Sequence, residues 1–319
     1  MRRLFANILL TAAACLVQAR PFCIPAMVCP AAEPGVAVWF WRVVEVGGLP
    51  RGARAVVAAD GFATLYVNGR NVGASVLSPV GPGGGLAAAH YEIGHLLVPG
   101  YNVIAVRAVP RSYGERPRVA VKISVPPHCV QGCGRQSHNG WLCLADGRLR
   151  IGGSGEIVDG RLGGWRMAQD PPVSLSLPAT ADTISSAYGV EHLTEYNDGL
   201  RIKSVLPAEK AESIGDNALL SFPRPFIGRV RVTLRGAARG DTVRVGALDY
   251  VCRGEQDEQA CLECGTEPAR NMAVCGSGGF NAGWIERAEG LEIGRAIAGT
   301  AWPEQPRYTI GREMPFIFW

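Results

Sequence analysis

Lysine is nearly absent from this chain, with three residues against 29 arginines in 319 positions. Charged residues make up only 19% of the sequence, and the formal net charge is +4. The arginines are scattered with no run of five, so the small basic excess is no nucleic-acid footprint. No segment beyond the first twenty residues has the ~20 consecutive apolar positions that a membrane-spanning helix needs. No stretch of useful length carries the 3.6-residue apolar period of an amphipathic helix. There is no G-x-S-x-G nucleophile turn, and nothing fixes a histidine beside a nucleophile. The glycine run at 81–85, "GPGGG", is not followed by Lys-Ser/Thr and opens no helix, so it reads as a connection and not as a phosphate loop.

What is present is short β-type sequence. Apolar and β-branched runs occupy 36–46, 53–59, 64–67, 102–109, 119–125, 227–234, 242–245 and 308–310. Turn signals punctuate them: Gly47-Gly48, Asp60-Gly61, Asn68-Gly69, Pro99-Gly100 and Asp146-Gly147. With 47% hydrophobic residues the chain can bury a sizeable core, and many short strands with regular turns predict an all-β sandwich or barrel. The stretch "TLYVNGRNVG" at 64–73 predicts a hairpin, because Asn-Gly tolerates the positive φ values of a type I′ turn. Alternation sends Leu65 and Val67 to one face and Thr64 and Tyr66 to the other. Asn68 is therefore structural first, ahead of any binding role.

The opening "MRRLFANILLTAAACLVQARP" has a basic start, an apolar centre and a small-residue site at Val17-Gln18-Ala19. This predicts a signal peptide at 1–19 and a secreted or periplasmic protein. Ala13-Ala14-Cys15 adds a weak lipid-attachment pattern at Cys15. Nine cysteines follow: Cys23, Cys29, Cys129, Cys133, Cys143, Cys252, Cys261, Cys264 and Cys275. Export predicts local disulfides within these clusters, with one cysteine left over, and the pairing is not readable from sequence. Zinc is the weaker reading of His128/Cys129/Cys133/His138/Cys143 and of the Cys252 to Cys275 cluster. No cofactor is expected; structural calcium stays open.

A boundary is expected at "QDPP" (169–172), dividing residues 30–170 from a second strand-rich region, 171–319, that carries a Cys-rich insert. In the first region, "ARAVVAADGFATLYVNGRNVG", "YEIGHLLVPGYNVIAVRAV", "YGERPRVAVKISV", "ADGRLRI" and "GWRM" occur in the order found in the N-terminal non-catalytic part of bacterial α-L-rhamnosidases, which the chain resembles. In the second, "TEYNDGLR", "FIGRVRVTLRGAARGDTVRVGALDY" and "RYTI" are similar to the module that follows in that family. The resemblance implies a jelly-roll, galactose-binding-like domain and then a second β-sandwich. It also implies a catalytic (α/α)6 barrel elsewhere, and the final "EMPFIFW" reads as a buried strand at the end of a fragment or at an early stop. This chain alone is then not expected to be catalytic, and the family's acid and base have no counterparts here. The segment "VPRSYGERP" is shorter and less aromatic than the family's loop, "SFPRPFIG" lacks the family's glutamine, and the Cys252 to Cys275 insert is foreign to it.

Glycoside hydrolysis needs two carboxyl groups facing the scissile bond. The clusters Glu191/Glu195/Asp198 and Glu255/Asp257/Glu258 lie in turn-like sequence, where charge normally marks a solvated face. Carbohydrate binding is the better-founded expectation: an aromatic face against a sugar ring, with polar side chains on its hydroxyls. Among the aromatics, Trp39 and Trp41 share a strand face, so at least one of them is expected in the core, as is Trp165. Tyr113 and Trp141 lie in loop-like sequence and are the preferred platforms, with Arg111, Glu115 and Arg116 beside Tyr113. The expected partners are a rhamnose-containing glycan and a catalytic domain outside the chain. The rival is a structural or adhesion module that contacts a protein through its Cys-rich segment.

Overall fold

The computed structural model describes residues 26–74, 88–126, 140–163, 168–181, 200–277 and 279–295. The predicted signal peptide with Cys15, the glycine run 81–85, the strand at 308–310 and the terminal apolar run lie outside them. The described residues contain no α-helix, and no helix is long and apolar enough to cross a membrane. The all-β expectation holds.

In the first half the strands are β1 (Met27–Val28), β2 (Val36–Val46), β3 (Arg54–Ala59), β4 (Gly61–Val67), β5 (Arg70–Ala74), β6 (Ala88–Glu92), β7 (Gly100–Pro110), β8 (Val119–Ser124), β9 (Leu142–Gly152) and β10 (Gly155–Asp159). Then come β11 (Leu177–Pro178), β12 (Thr180–Ala181), β13 (Leu200–Pro207), β14 (Lys210–Ile214), β15 (Asn217–Leu234), β16 (Thr242–Val245), β17 (Leu248–Val251), β18 (Glu258–Cys261), β19 (Glu267–Gly276) and β20 (Ile285–Arg295). A small sheet has the order β12-β1-β8-β3-β6. A large one runs β13-β20-β15-β19-β16-β17-β10-β9-β2-β7-β4-β5, with β11 on β9 and with β14 and β18 on β15. Beyond "QDPP", β11 and β12 pair back onto β9 and β1.

The small sheet closes over one face of β9-β2-β7-β4. Val57, Val119 and Val121 meet Val38, Phe40, Leu65 and Val106 in a first core. Full burial of side chains of this size is worth about 1.5–3 kcal/mol each. A second core gathers Leu220, Phe222, Phe226 and Val232 of β15, Val243 and Val245 of β16, Leu248 and Tyr250 of β17, and Met272 and Val274 of β19. The long strand β15 changes partners along its length. Its register with β19 shifts between Ser221 and Phe226, where Pro223 and Pro225 have no N–H to give the ladder.

Two sequence expectations change here. Asp146-Gly147 is no turn: it lies inside β9, where the register against β2 jumps from Val36↔Arg150 to Ala37↔Asp146. The extra residues form a bulge that turns Asp146 into a buried site. The Cys-rich segment is no appended loop either, since β18 and β19 both pair with β15.

The Asn-Gly hairpin is as predicted. Asn68 has φ 50° and Gly69 has φ 78°, the signs of a type I′ turn. Asn68 is also a structural hub. Its Nδ2 donates to Leu96 O at 3.0 Å and to Asn102 Oδ1 at 2.9 Å, and its Oδ1 accepts from Val103 N at 2.9 Å. The fully buried Asn102 in turn accepts from Val98 N at 2.8 Å and donates to Val98 O at 2.8 Å and Gly100 O at 3.0 Å. These bonds splice the β4–β5 turn to the loop before β7. Asn102→Ala strips partners from four polar groups at once, and chemical denaturation should show a loss of about 3 kcal/mol or more.

Candidate functional site

Two places combine exposed aromatics or buried charge: the turn after β7 and the junction where β10 meets the second half. Arg111, Tyr113, Glu115 and Arg116 all lie on that turn and all are exposed, with Tyr113 71% accessible. The turn is held by its backbone, because Gly35 N donates to Glu115 O at 2.7 Å and Glu115 N to Ser112 O at 3.3 Å. A side chain built at Gly35 would meet the Tyr113 ring at 3.8 Å, so the ring stands beside the backbone that leads into β2. The structure therefore brings four of the five expected residues together on one surface. Trp141 is not with them. It is 5% exposed and packs in the first core, and Ala179 N bonds its carbonyl at 3.0 Å. Its ring offers no face to a ligand. The aromatic that sequence reading missed is Tyr101, 74% exposed opposite Glu45, with exposed Val43 nearby on β2. Its position after Pro99-Gly100 at a strand start was the available signal.

Trp39 and Trp41 do share a face, but it is the one turned away from the first core. They pack with Ala105, Ala168, Tyr66, Leu142 and Leu144. Trp39 and Tyr66 lie 5.3 Å apart between ring centroids, and the Arg107 guanidinium sits 5.8 Å from the Trp39 centroid. Trp165 lies outside the described residues.

Arg107 leads into the junction. Its Nε donates to Asp146 Oδ2 at 2.7 Å and its Nη1 to Glu263 Oε2. Glu263 Oε1 accepts from Arg148 Nη2 at 3.0 Å, and Arg148 N donates to Asp146 Oδ1 at 3.1 Å. Glu156 of β10 accepts from Glu263 N at 2.7 Å and Cys264 N at 2.8 Å, which fixes the turn that carries Glu263. Beside it, β10 and β17 form a parallel ladder from Glu156↔Leu248 to Asp159↔Val251. Burial alone would raise Glu263, but Arg107 and Arg148 outweigh it and hold the carboxyl below its usual range. Glu156 has a weaker compensation. Burial pushes it up to about 7 against the pull of its two backbone N–H bonds.

The buried carboxylates are thus committed to structure. Asp146 and Glu263 face arginines. Glu258, placed by sequence in a solvated cluster, is buried and accepts from Tyr250 Oη at 3.1 Å, Arg253 N at 2.7 Å and Gly254 N at 3.1 Å. Glu255 and Asp257 are exposed; Glu191, Glu195 and Asp198 lie outside the described residues. No group of three or more His, Cys, Asp or Glu among the described residues, Cys252, Cys261, Cys264 and Cys275 included, is placed to hold a metal. His128, Cys129, Cys133 and His138 lie outside the described residues.

Against solved structures, the chain matches α-L-rhamnosidases. That from Dictyoglumus thermophilum aligns with a TM-score of 0.62 at 17% identity, over 86% of this chain and 36% of the other. That from Aspergillus terreus gives 0.65 at 15% identity, over 86% and 36%. The Streptomyces avermitilis enzyme, solved in complex with L-rhamnose, gives 0.64 at 20% identity, over 82% and 29%. The likeness is one of fold. This chain spans about a third of each of those proteins. No family model matches it, and no curated protein does.

Two outcomes follow for the junction. Glu263→Ala leaves Arg107 and Arg148 buried without their shared partner and should cost about 3–5 kcal/mol in equilibrium unfolding. Glu156, raised from 4.5 to about 7 by burial, stabilises the fold fully below its unfolded value, and that stability is lost as pH rises through 7. The displacement corresponds to ~3 kcal/mol. Denaturation followed from pH 4 to 8 should show this decline, and Glu156→Gln should flatten most of it. Glu267, also raised by burial, leaves a smaller decline of the same sign.

Proposed function

We propose that this chain is a carbohydrate-binding, non-catalytic region of an exported α-L-rhamnosidase-like glycosidase whose catalytic barrel lies outside it. The observation that carries the reading is the partial match: nearly the whole described fold aligns with about a third of each of three rhamnosidases. The ordered motifs from "ARAVVAADGFATLYVNGRNVG" to "GWRM" support the same region independently. The commitment of the buried carboxylates to arginines and backbone N–H groups fits a region that positions and binds.

In this reading the turn after β7 is the sugar-contacting surface. Tyr113 presents its ring to the C–H patch of a rhamnose-containing glycan, and Arg111, Glu115 and Arg116 reach its hydroxyls. The N-terminal segment 1–19 directs export; cleavage before Cys15 is the alternative to cleavage after Ala19, and it would leave Cys15 as the point of lipid attachment. The rival reading, a protein-contact module, relied on the Cys-rich segment as its contact. In that segment Cys252, Glu263 and Cys264 are turned inward, while Glu255, Gln256 and Asp257 stay exposed, so any protein contact there would run through the exposed stretch.

The test is titration of the purified chain with rhamnose-containing oligosaccharides. Tyr113→Ala should weaken binding about 10-fold, the scale of one lost aromatic contact. Tyr101→Ala should leave it unchanged. Absence of binding by the wild-type chain, or loss with Tyr101→Ala alone, overturns the assignment. No release of aryl alcohol from an aryl rhamnoside is expected from this chain.

A further inference from the structure

Cys29 and Cys143 lie 114 positions apart, and sequence clustering predicts separate local partners for them. The tertiary structure puts them together. The segment 177–181 bridges their strands: Leu177 pairs with Cys143 in β9, and Thr180 pairs with Val28, the residue before Cys29. Both thiols are buried in the first core, among Met27, Phe40 and Trp141. Both are free thiols, close enough for each side chain to act on the other's titration, and Ala32 N donates to Cys29 O at 3.2 Å in the turn after β1.

We propose that Cys29 and Cys143 are a disulfide pair that ties β1 to β9 once the chain meets an oxidising disulfide. The two thiols titrate as a pair: the Cys143 side chain, the backbone at Ala31 and Ala32 and nearby Arg116 draw Cys29 below the ordinary thiol range despite burial. The exchange can begin from either sulfur with the same balance. The oxidant is an external disulfide of the glutathione or thiol–disulfide oxidoreductase class. When it begins from Cys29, Cys29 Sγ attacks one of the oxidant's sulfurs, breaks its S–S bond and releases one thiolate, which takes up a proton. Cys143 then gives up its proton and attacks Cys29 Sγ in the mixed disulfide, releasing the second thiol. Two electrons pass from the protein sulfurs to the oxidant, one S–S bond replaces another, and two protons move to the released thiols. Burial makes three of the other described thiols less reactive. Burial pushes Cys252 up to about 12 and Cys261 to about 11, and it raises Cys264 as well. Low exposure of Cys29 and Cys143 places the reaction during folding, and afterwards it shields the bond from reductants.

The full chain, refolded with oxidised glutathione, should give a Cys29–Cys143 cross-linked peptide when digested without reduction and analysed by mass spectrometry. Its Tm should exceed that of the reduced chain by on the order of 10 °C, since a bond closing more than 100 residues strongly restricts the unfolded state. A Cys29→Ser/Cys143→Ser double variant should lose most of that redox difference. The proposal fails if iodoacetamide in denaturant, without prior reduction, alkylates both Cys29 and Cys143. It fails equally if either is found bonded to another cysteine such as Cys23, Cys129 or Cys133. Peptide mapping uses the wild-type chain, so it decides the pairing even where the double variant does not fold.

Discussion

A buried ionic cluster holds the two halves of this β-structure in register. Arg107 and Arg148 come from the first half and Glu263 from the second, and all three are almost entirely withdrawn from water. Taking such charges out of solvent costs several kcal/mol per ion, recovered only when geometry and remaining hydrogen bonds are nearly complete. Here they nearly are: Asp146 takes up Arg107 and a backbone N–H, and Glu156 pins the turn that delivers Glu263. An arrangement of this kind is a poor source of net stability but a strong selector of geometry, because any slip of one half strands a charge.

The cluster also organises what the surface has left to offer. The outward face of the first sandwich carries Trp39, Trp41 and Tyr66, the largest aromatic group in the region. On an open sheet it would be a ready saccharide platform. Covered by Ala168 and edged by the Arg107 cluster, it is internal packing. Among the described residues, the exposed aromatics are Tyr113 and Tyr101, near the two ends of β7. The bulge at Asp146 serves the same end, re-aiming one carboxylate from a strand face into the junction.

Much was legible in sequence because it depends on short-range rules. The strands 36–46 and 242–245 coincide with β2 and β16, and the Asn68-Gly69 turn has the φ values its residue types demand. Strands β10, β14, β19 and β20 were not readable, since Gly, Glu, Arg or Asn interrupts their apolar residues and clean alternation is lacking. They are strands because neighbours supply the other half of each hydrogen-bonded ladder. Glu258 illustrates the same limit: in sequence it belongs to a charged, turn-like cluster, and the Tyr250 hydroxyl and the backbone N–H groups of Arg253 and Gly254 make its burial tolerable.

The sequence by itself determined the all-β class, the position of the tight hairpin and the exposed turn bearing Tyr113, because period-two alternation and turn chemistry act over a few residues. Tertiary structure alone decided that Trp141 is core, that Asp146-Gly147 is a bulge, that the Cys-rich segment belongs to the sheet and that Cys29 meets Cys143. Each of these depends on which strands lie side by side, and that is settled by burial and hydrogen-bond satisfaction summed over the whole chain.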